Sequence, residues 1–289
     1  MLYIIANAKS GNGRCAKVMK KVRAYCEKAD VPLSFLVTER VGHASELAGS
    51  ITLHEGDKLA VLGGDGTFHE VMQGLHDPAA TPLGFIPAGR GNDFIRSAGV
   101  PKDPIKALKA IINGKLRNLD YIEVGGKRCL NIAGTGLDVD VLERTMNAKN
   151  KFTYLKSLIQ CLRSFESTHV TLKTGGESHE FDCVMVGVCN GKYFGGNMCL
   201  APLAEVDDGK LEVIVITMPE NGKIMRILPK FVRGKHMDMP ITKRFICEEV
   251  NIGTEKPVEI DGEIYKGLAF DCRIVKGGLL TYDAREQND

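Results

Sequence analysis

The chain contains no tryptophan, and aromatic residues fill only 6% of its 289 positions. The side chain favoured for anchoring at a lipid–water boundary is therefore missing. Charge of one sign is missing too: 38 Lys and Arg against 36 Asp and Glu leave a net charge of +2. A duplex nucleic-acid binder carries a basic footprint, so no nucleic-acid partner is expected, and attraction to phosphate or an anionic membrane must come from local patches. No run approaches the roughly 20 apolar residues that span a bilayer. The N-terminal MLYIIANAKSG has no basic n-region and too short an apolar stretch for a signal peptide.

Several chemical signatures are absent. No G-x-x-x-x-G-K-[ST] occurs, which excludes a P-loop enzyme, and no G-x-G-x-x-G follows a strand. Neither H-E-x-x-H nor G-x-S-x-G is found. The nine cysteines are odd in number, scattered and without a C-x-x-C pair, so a reduced, cytoplasmic protein is expected rather than a disulfide scaffold.

What is present is an ordinary globular composition, 44% hydrophobic and 26% charged, long enough for two cores. Residues 1–122 alternate strand-like runs (2–6, 33–37, 58–62, 83–86) with helix-like ones (14–29, from 43, and 67–75). On 14–29 the apolar positions are Ala16, Val18, Met19, Val22 and Tyr25. This rhythm predicts a doubly wound α/β domain with a parallel sheet, whose ligands bind beyond the carboxyl ends of the strands. Residues 123–289 read differently. Two helical stretches (137–146 and 152–165) interrupt strands at 170–173, 181–190, 211–218, 250–252, 258–260, 270–275 and 278–282. These are rich in β-branched residues and separated by Gly-Gly and Asp-Gly turns. A mainly antiparallel β domain is expected there, with its C-terminal tail packing back on the first.

Three strand-end loops of the first half carry candidate chemistry. Asn7-Ala8-Lys9-Ser10-Gly11-Asn12-Gly13 runs into a helix; its N–H groups suit an anion, though taken alone the residues favour a plain turn with an N-cap. Gly63-Gly64-Asp65-Gly66-Thr67 suits a phosphate cradle with an acid for magnesium, or a tight turn whose Asp65 or Thr67 caps the helix. Pro87-Ala88-Gly89-Arg90-Gly91-Asn92-Asp93-Phe94 adds a guanidinium and a second carboxylate. Three such loops on one sheet edge are harder to dismiss than one.

Together with Asn131-Ile-Ala-Gly-Thr-Gly-Leu-Asp138, Asn190-Gly-Lys-Tyr-Phe-Gly-Gly196, Asp207-Asp208-Gly209-Lys210-Leu211 and Glu259-Ile-Asp-Gly-Glu263, these loops resemble the diacylglycerol kinase catalytic family, including its bacterial soluble lipid kinases. The resemblance runs through nearly the whole chain in order. It implies an ATP- and Mg2+-dependent lipid kinase, with diacylglycerol as the acceptor. The nucleotide site would take Asn7, Ala8, Lys9, Ser10, Gly11, Thr38, Gly63, Gly64, Asp65, Gly66, Thr67, Phe68 and His69, with Gly89, Arg90, Asn92 and Asp93. The resemblance also implies a catalytic magnesium network at Asp65, Asp93 and Asp120, and a structural magnesium at Asp208 with Glu205 and Lys210. A plain hairpin turn is the alternative at Asp208. Glu263 is the implied general base, with Asp261 as competitor.

Three positions depart from the family pattern. Ala8 stands for a proline and His69 for asparagine. Arg90 replaces a threonine, which removes a hydroxyl ligand and adds a cation able to meet phosphate directly. The acids all remain. Two amphipathic basic stretches, 152–165 and 223–244, are expected either to bury one face in their own domain or to touch a membrane surface peripherally. An exposed sheet edge would permit a homodimer. The rival readings are an NAD kinase-like enzyme, sharing the Gly-Gly-Asp-Gly-Thr loop, and a catalytically silent nucleotide-binding regulatory protein.

Overall fold

The computed structural model describes residues 1–145, 160–161, 165–219, 230 and 234–285. The stretch expected to be helical at 152–165 lies almost wholly outside them, as does the front of the 223–244 stretch. The chain divides into two compact units. The first comprises Met1–Tyr121, Val206–Asp208 and Val275–Asp289; the second comprises Ile122–Glu205 and Gly209–Ile274.

The first unit is α/β. In chain order it holds β1 (Leu2–Ala6), α1 (Arg14–Lys28), β2 (Leu33–Val37), α2 (His43–Ser50), β3 (Lys58–Gly63), α3 (Asp65–Gly74), β4 (Leu83–Pro87), α4 (Asp93–Ser97) and α5 (Pro104–Asn113). The next strand, β5 (Leu116–Val124), passes into the second unit. β1 pairs in parallel with β2 on one side and β3 on the other, and β3 pairs in parallel with β4. The chain thus reverses its winding direction between β1 and β3, the switch point where open α/β sheets leave a crevice at their carboxyl ends.

α1 buries Cys15, Val18, Val22 and Cys26, one stripe at helical spacing, against Ile4, Leu62 and Leu108 of the core. Of the expected positions Val18 and Val22 are in this stripe and Met19 and Tyr25 pack against it half-buried, while Cys15 and Cys26, not foreseen, complete it. Burial pushes the Cys15 thiol up to about 12, which leaves it inert packing. α5 went unread in the sequence although its signals are plain. Asp103 accepts from the Ile105 and Lys106 amides, Pro104 follows it, and Gly114 closes the helix in a left-handed conformation.

The second unit is antiparallel β with one described helix. It holds β6 (Lys127–Cys129), β7 (Ile132–Gly136), α6 (Leu137–Thr145), β8 (Thr168–Thr174), β9 (Glu177–Cys189), β10 (Tyr193–Phe194), β11 (Met198–Cys199), β12 (Leu211–Thr217), β13 (Thr242–Cys247), β14 (Glu249–Gly253), β15 (Val258–Ile260), β16 (Glu263–Tyr265) and the start of β17 (Asp271–Tyr282), whose residues from Val275 belong to the first unit. β9 changes partners along its length. Its first half pairs with β8, and its second half lies between β7 and β12. Alternate residues of these strands fill a core that includes Val170, Val186, Val213 and Ile252.

Three expectations need correcting. The two strands expected at 270–275 and 278–282 are one continuous strand, β17, because Gly277, in a left-handed conformation (φ 58°), distorts the strand without ending it. The tail of the basic stretch 223–244 enters strand β13, paired with β12. α3 starts at Asp65, two residues before the expected position, so the acid stands in the helix's first turn.

Candidate functional site

In the first unit the three glycine loops meet at the carboxyl ends of β1, β3 and β4. The Gly63 carbonyl accepts from both the Ala88 and Gly89 amides, at 2.7 and 2.8 Å, and Asn7 N–H donates to the Leu62 carbonyl at 3.3 Å. A Cβ on Gly11 would lie 2.4 Å from the Ala88 carbonyl oxygen, and one on Gly64 would lie 2.9 Å from the Gly89 Cα. Only glycine lets these backbones approach so closely. Gly11, Asn12 and Gly13 hold φ values of 63, 55 and 80°, a left-handed run that curls the first loop back on itself. Such concave backbone is the setting in which successive N–H groups collect an anion. Arg90 donates to the Asn12 side-chain oxygen, linking the third loop to the first. Thr38 joins the same edge through its amide, which donates to the Ala6 carbonyl at 2.9 Å.

Asp65 sits at the centre of this arrangement. Its carboxylate accepts from the Asn92 amide at 2.7 Å and the Phe94 amide at 3.3 Å, so the acid of the second loop clamps the third. Burial, with the charge of Asp93 added, pushes its pKa up to about 6, against the pull of those amides. Asp93 is itself buried. Two close carboxyl groups at a sheet edge, one held above its ordinary range, form a donor set that suits a divalent cation. Magnesium characteristically uses one or two carboxylates and completes its shell with water and phosphate oxygens. Among the described residues no group of three or more His, Cys, Asp or Glu side chains is arranged to hold a metal by itself.

The structure places other expected residues less directly. Phe68 is fully buried, its ring edge-on to Phe85 at 5.3 Å, and its amide is given to the Gly64 carbonyl; it is a core residue of this unit. His69 and Thr67 are buried beside it. Asp120 accepts from the Gly277 amide at 2.7 Å, and its own amide donates to the Val206 carbonyl. Asp208 belongs to the first unit, whereas Glu205 and Lys210 belong to the second.

In the second unit three of the sequence blocks gather around one turn. Asp261, in a left-handed conformation (φ 51°), accepts from the Leu130 and Asn131 amides at 2.8 and 2.9 Å, while its own amide donates to the Ile132 carbonyl. Asn190 locks the same corner, its side-chain amide donating to the Leu130 carbonyl at 2.8 Å. The Glu259 carboxylate accepts from the Gly262 amide at 2.8 Å, which pins the turn carrying Glu263. Glu263 itself opens β16, opposite Ile260, and is exposed.

Beneath this turn lies a buried acid pair that residue-type reasoning passed over. Glu259 stands opposite Gly134 across β15 and β7, and the Asp138 carboxylate lies over Gly134, where a Cβ would come within 2.4 Å of it. Neither Asp138 oxygen has a well-aligned donor among the described residues. Burial pushes Asp138 up to about 7, with Asp140 adding to the rise and Lys256 opposing it. Burial, then the neighbouring Asp138, pushes Glu259 well above the carboxylate range. The missed signal was the Gly134-x-x-x-Asp138 spacing, which lets a carboxylate reach back over a residue without a side chain.

The comparisons agree with this architecture. Residues 1–124 match the diacylglycerol kinase catalytic domain, and residues 131–280 match the YegS C-terminal NAD kinase beta sandwich-like domain. A diacylglycerol kinase of Bacillus subtilis (strain 168) is 30% identical over 273 residues, covering 92% of this chain and 90% of the relative. A diacylglycerol kinase of Staphylococcus carnosus (strain TM300) is 27% identical, covering 98% and 95%. A crystal structure of a diacylglycerol kinase from Bacillus anthracis str. Sterne superposes with a TM-score of 0.75 at 26% identity, covering 97% and 96% of the two chains. Fold and site define an α/β kinase unit joined to a β unit. The chain belongs to the diacylglycerol kinase catalytic-domain family, and at the level of that family it is a lipid kinase. No helix among the described residues is long and apolar enough to cross a membrane.

Proposed function

We propose that this protein transfers the γ-phosphoryl group of ATP to the hydroxyl of a membrane lipid, with diacylglycerol as the acceptor, working at the membrane surface from the cytoplasm. The observation that carries the proposal is the convergence of three glycine loops on the Asp65–Asp93 pair, within the family's fold. The first loop and the Gly64–Thr67 turn would cradle a triphosphate at this sheet edge, and Asp65 and Asp93 would hold its magnesium, through water. Bound there, magnesium would neutralise phosphate charge as transfer proceeds.

Geometry within the second unit favours one of the two candidate bases. Asp261 spends both oxygens on backbone amides, which suits a residue that shapes the corner. Glu263 is exposed and next in line on the pinned turn, so it is the better placed to take the acceptor hydroxyl's proton. Incubation with γ-labelled ATP, magnesium and vesicles containing diacylglycerol, with NAD offered alongside, tests the reading. Labelled phosphatidic acid is expected. Label entering NAD instead of lipid, or ATP bound without turnover on any lipid, would refute it.

A further inference from the structure

α1 buries Cys15, Val18, Val22 and Cys26 and turns Lys17, Lys20, Lys21 and Lys28 outward, all four exposed. Residues three and four positions apart are neighbours on a helix, so Lys17, Lys20 and Lys21 form one patch on the side away from the core. Acids are scarce around it. Glu27, the only acid of the helix, stands four positions from Arg23, and Asp30 follows Lys28 just beyond the helix end. Arg23 lies over the Phe35 ring, and Lys109 of α5, the helix packed beside α1, lies over the Tyr25 ring.

The charge count can be made strictly. Glu27 is set against Arg23 and Asp30 against Lys28; Lys109 is left out, as is Arg14, which adjoins the nucleotide loops. Lys17, Lys20 and Lys21 remain, and none of the three has an ion-pair or hydrogen-bond partner among the described residues. Like charges at this spacing destabilise a helix, and an anion brought from outside the chain relieves their repulsion.

The chemistry of the patch selects its partner. It holds no aromatic ring and no free arginine fork, and Ala24 is the one exposed apolar residue within the helix. Protein interfaces are enriched in aromatics and arginine and poor in lysine. Lysines are compact, strongly hydrated point charges on flexible stems. They suit an array of anionic headgroups, which demands no fitted shape and attracts basic residues close to its surface. The net charge of only +2 over the whole chain makes this local concentration stand out further.

We infer that the lysine face of α1 docks the protein on an anionic lipid surface by charge alone. The use of such docking rests on the reading of a membrane-embedded acceptor, but its test does not, because binding is measured without turnover.

The test uses the full chain without ATP, sedimented with vesicles of phosphatidylcholine alone or of equal parts phosphatidylcholine and phosphatidylglycerol. Wild type is expected to bind only the anionic vesicles, and to release them as salt screens the exposed charges. Each cation near such a surface carries about fivefold in partition, so Lys17→Gln/Lys20→Gln/Lys21→Gln is expected to bind at least tenfold more weakly. Lys127→Gln/Lys173→Gln/Lys243→Gln removes the same charge from exposed positions of the second unit and is expected to bind as wild type does. The α1 variant should still phosphorylate diacylglycerol at the wild-type rate in uncharged detergent micelles. Should it melt early, Lys17→Gln/Lys21→Gln gives the same reading. Unchanged binding by the α1 variant, an equal loss in the control variant, or binding that ignores salt overturns the inference. Wild type that binds no anionic vesicle overturns it too, and leaves the face to an acidic protein. Docking through α1 by a chain that labels no lipid even in micelles would leave the inference standing and sink the kinase reading instead.

Discussion

Gly64 and Gly89 face each other across two loops so closely that a Cβ on Gly89 would stand 2.4 Å from the Gly64 Cα. That contact holds the β3–α3 loop, with Asp65, against the β4–α4 loop, with Asp93. Gly89→Ala is expected to force the loops apart, costing about 1–3 kcal/mol, the range for overpacking a tight interior, and at least tenfold in kcat. Thermal melting and lipid phosphorylation check both parts. A fully active alanine variant would show that the loop spacing does not matter.

Asp65 should make the protein less stable as pH rises. Its folded pKa, about 6, lies above the ordinary 3.8, so the folded state holds the proton longer than the unfolded chain. The resulting advantage is full below about pH 4 and is lost as pH climbs through 6, about 3 kcal/mol in all. In the metal-free protein Asp65→Asn is therefore expected to melt at or above the wild-type temperature at pH 7.5, while lipid phosphorylation falls at least a thousandfold. A variant both folded and active would remove Asp65 from the chemistry.

Asp261 and Glu263 should fail differently. Glu263→Gln is expected to lower kcat by about 10²–10⁴, the usual worth of a positioned base, with little change in melting. Asp261→Asn loses a charged acceptor for two amides and is expected to lose about 1–3 kcal/mol of stability, with a smaller kinetic effect at a temperature where it stays folded. If Asp261→Asn proves the catalytically dead but stable variant, the roles are reversed.

Glu259 gives a second pH signature. Its folded pKa is raised, so its contribution to stability is present at low pH and declines as pH rises past the ordinary carboxylate range. Glu259→Gln keeps an oxygen for the Gly262 amide and cannot ionise. Denaturant unfolding between pH 5 and 9 should show a flatter stability profile for this variant than for the wild type. Parallel profiles would mean that Glu259 is not held protonated.

Much of the first unit was legible because its strands and helices are punctuated locally. The runs at 2–6, 33–37 and 58–62 end in glycine-bearing or polar turns, and the glycine loops mark the sheet edge by residue type alone. α5 was overlooked because the alternating rhythm seemed complete after β4, despite Asp103-Pro104 and Gly114. In the second unit β7 was hidden inside a motif, since Ala133-Gly134-Thr135-Gly136 lacks the bulky residues that announce a strand. The merging of 270–275 with 278–282 depends on strand pairing, which Gly277-Gly278 does not reveal. The buried partnership of Asp138 with Glu259 joins residues far apart in sequence, and no local pattern encodes such a meeting.

β17 supplies the first unit with its last edge: Thr281 pairs in parallel with Leu83, its hydroxyl donates to the Leu83 carbonyl at 2.7 Å, and Tyr282 enters the core. A ribosome therefore releases β1 through α5 long before the strand that covers β4 exists. The nascent nucleotide-binding half must wait with a bare sheet edge while more than half of the chain is still being translated. Expression of residues 1–122 alone would make that waiting state permanent, with β4 free to pair with other copies.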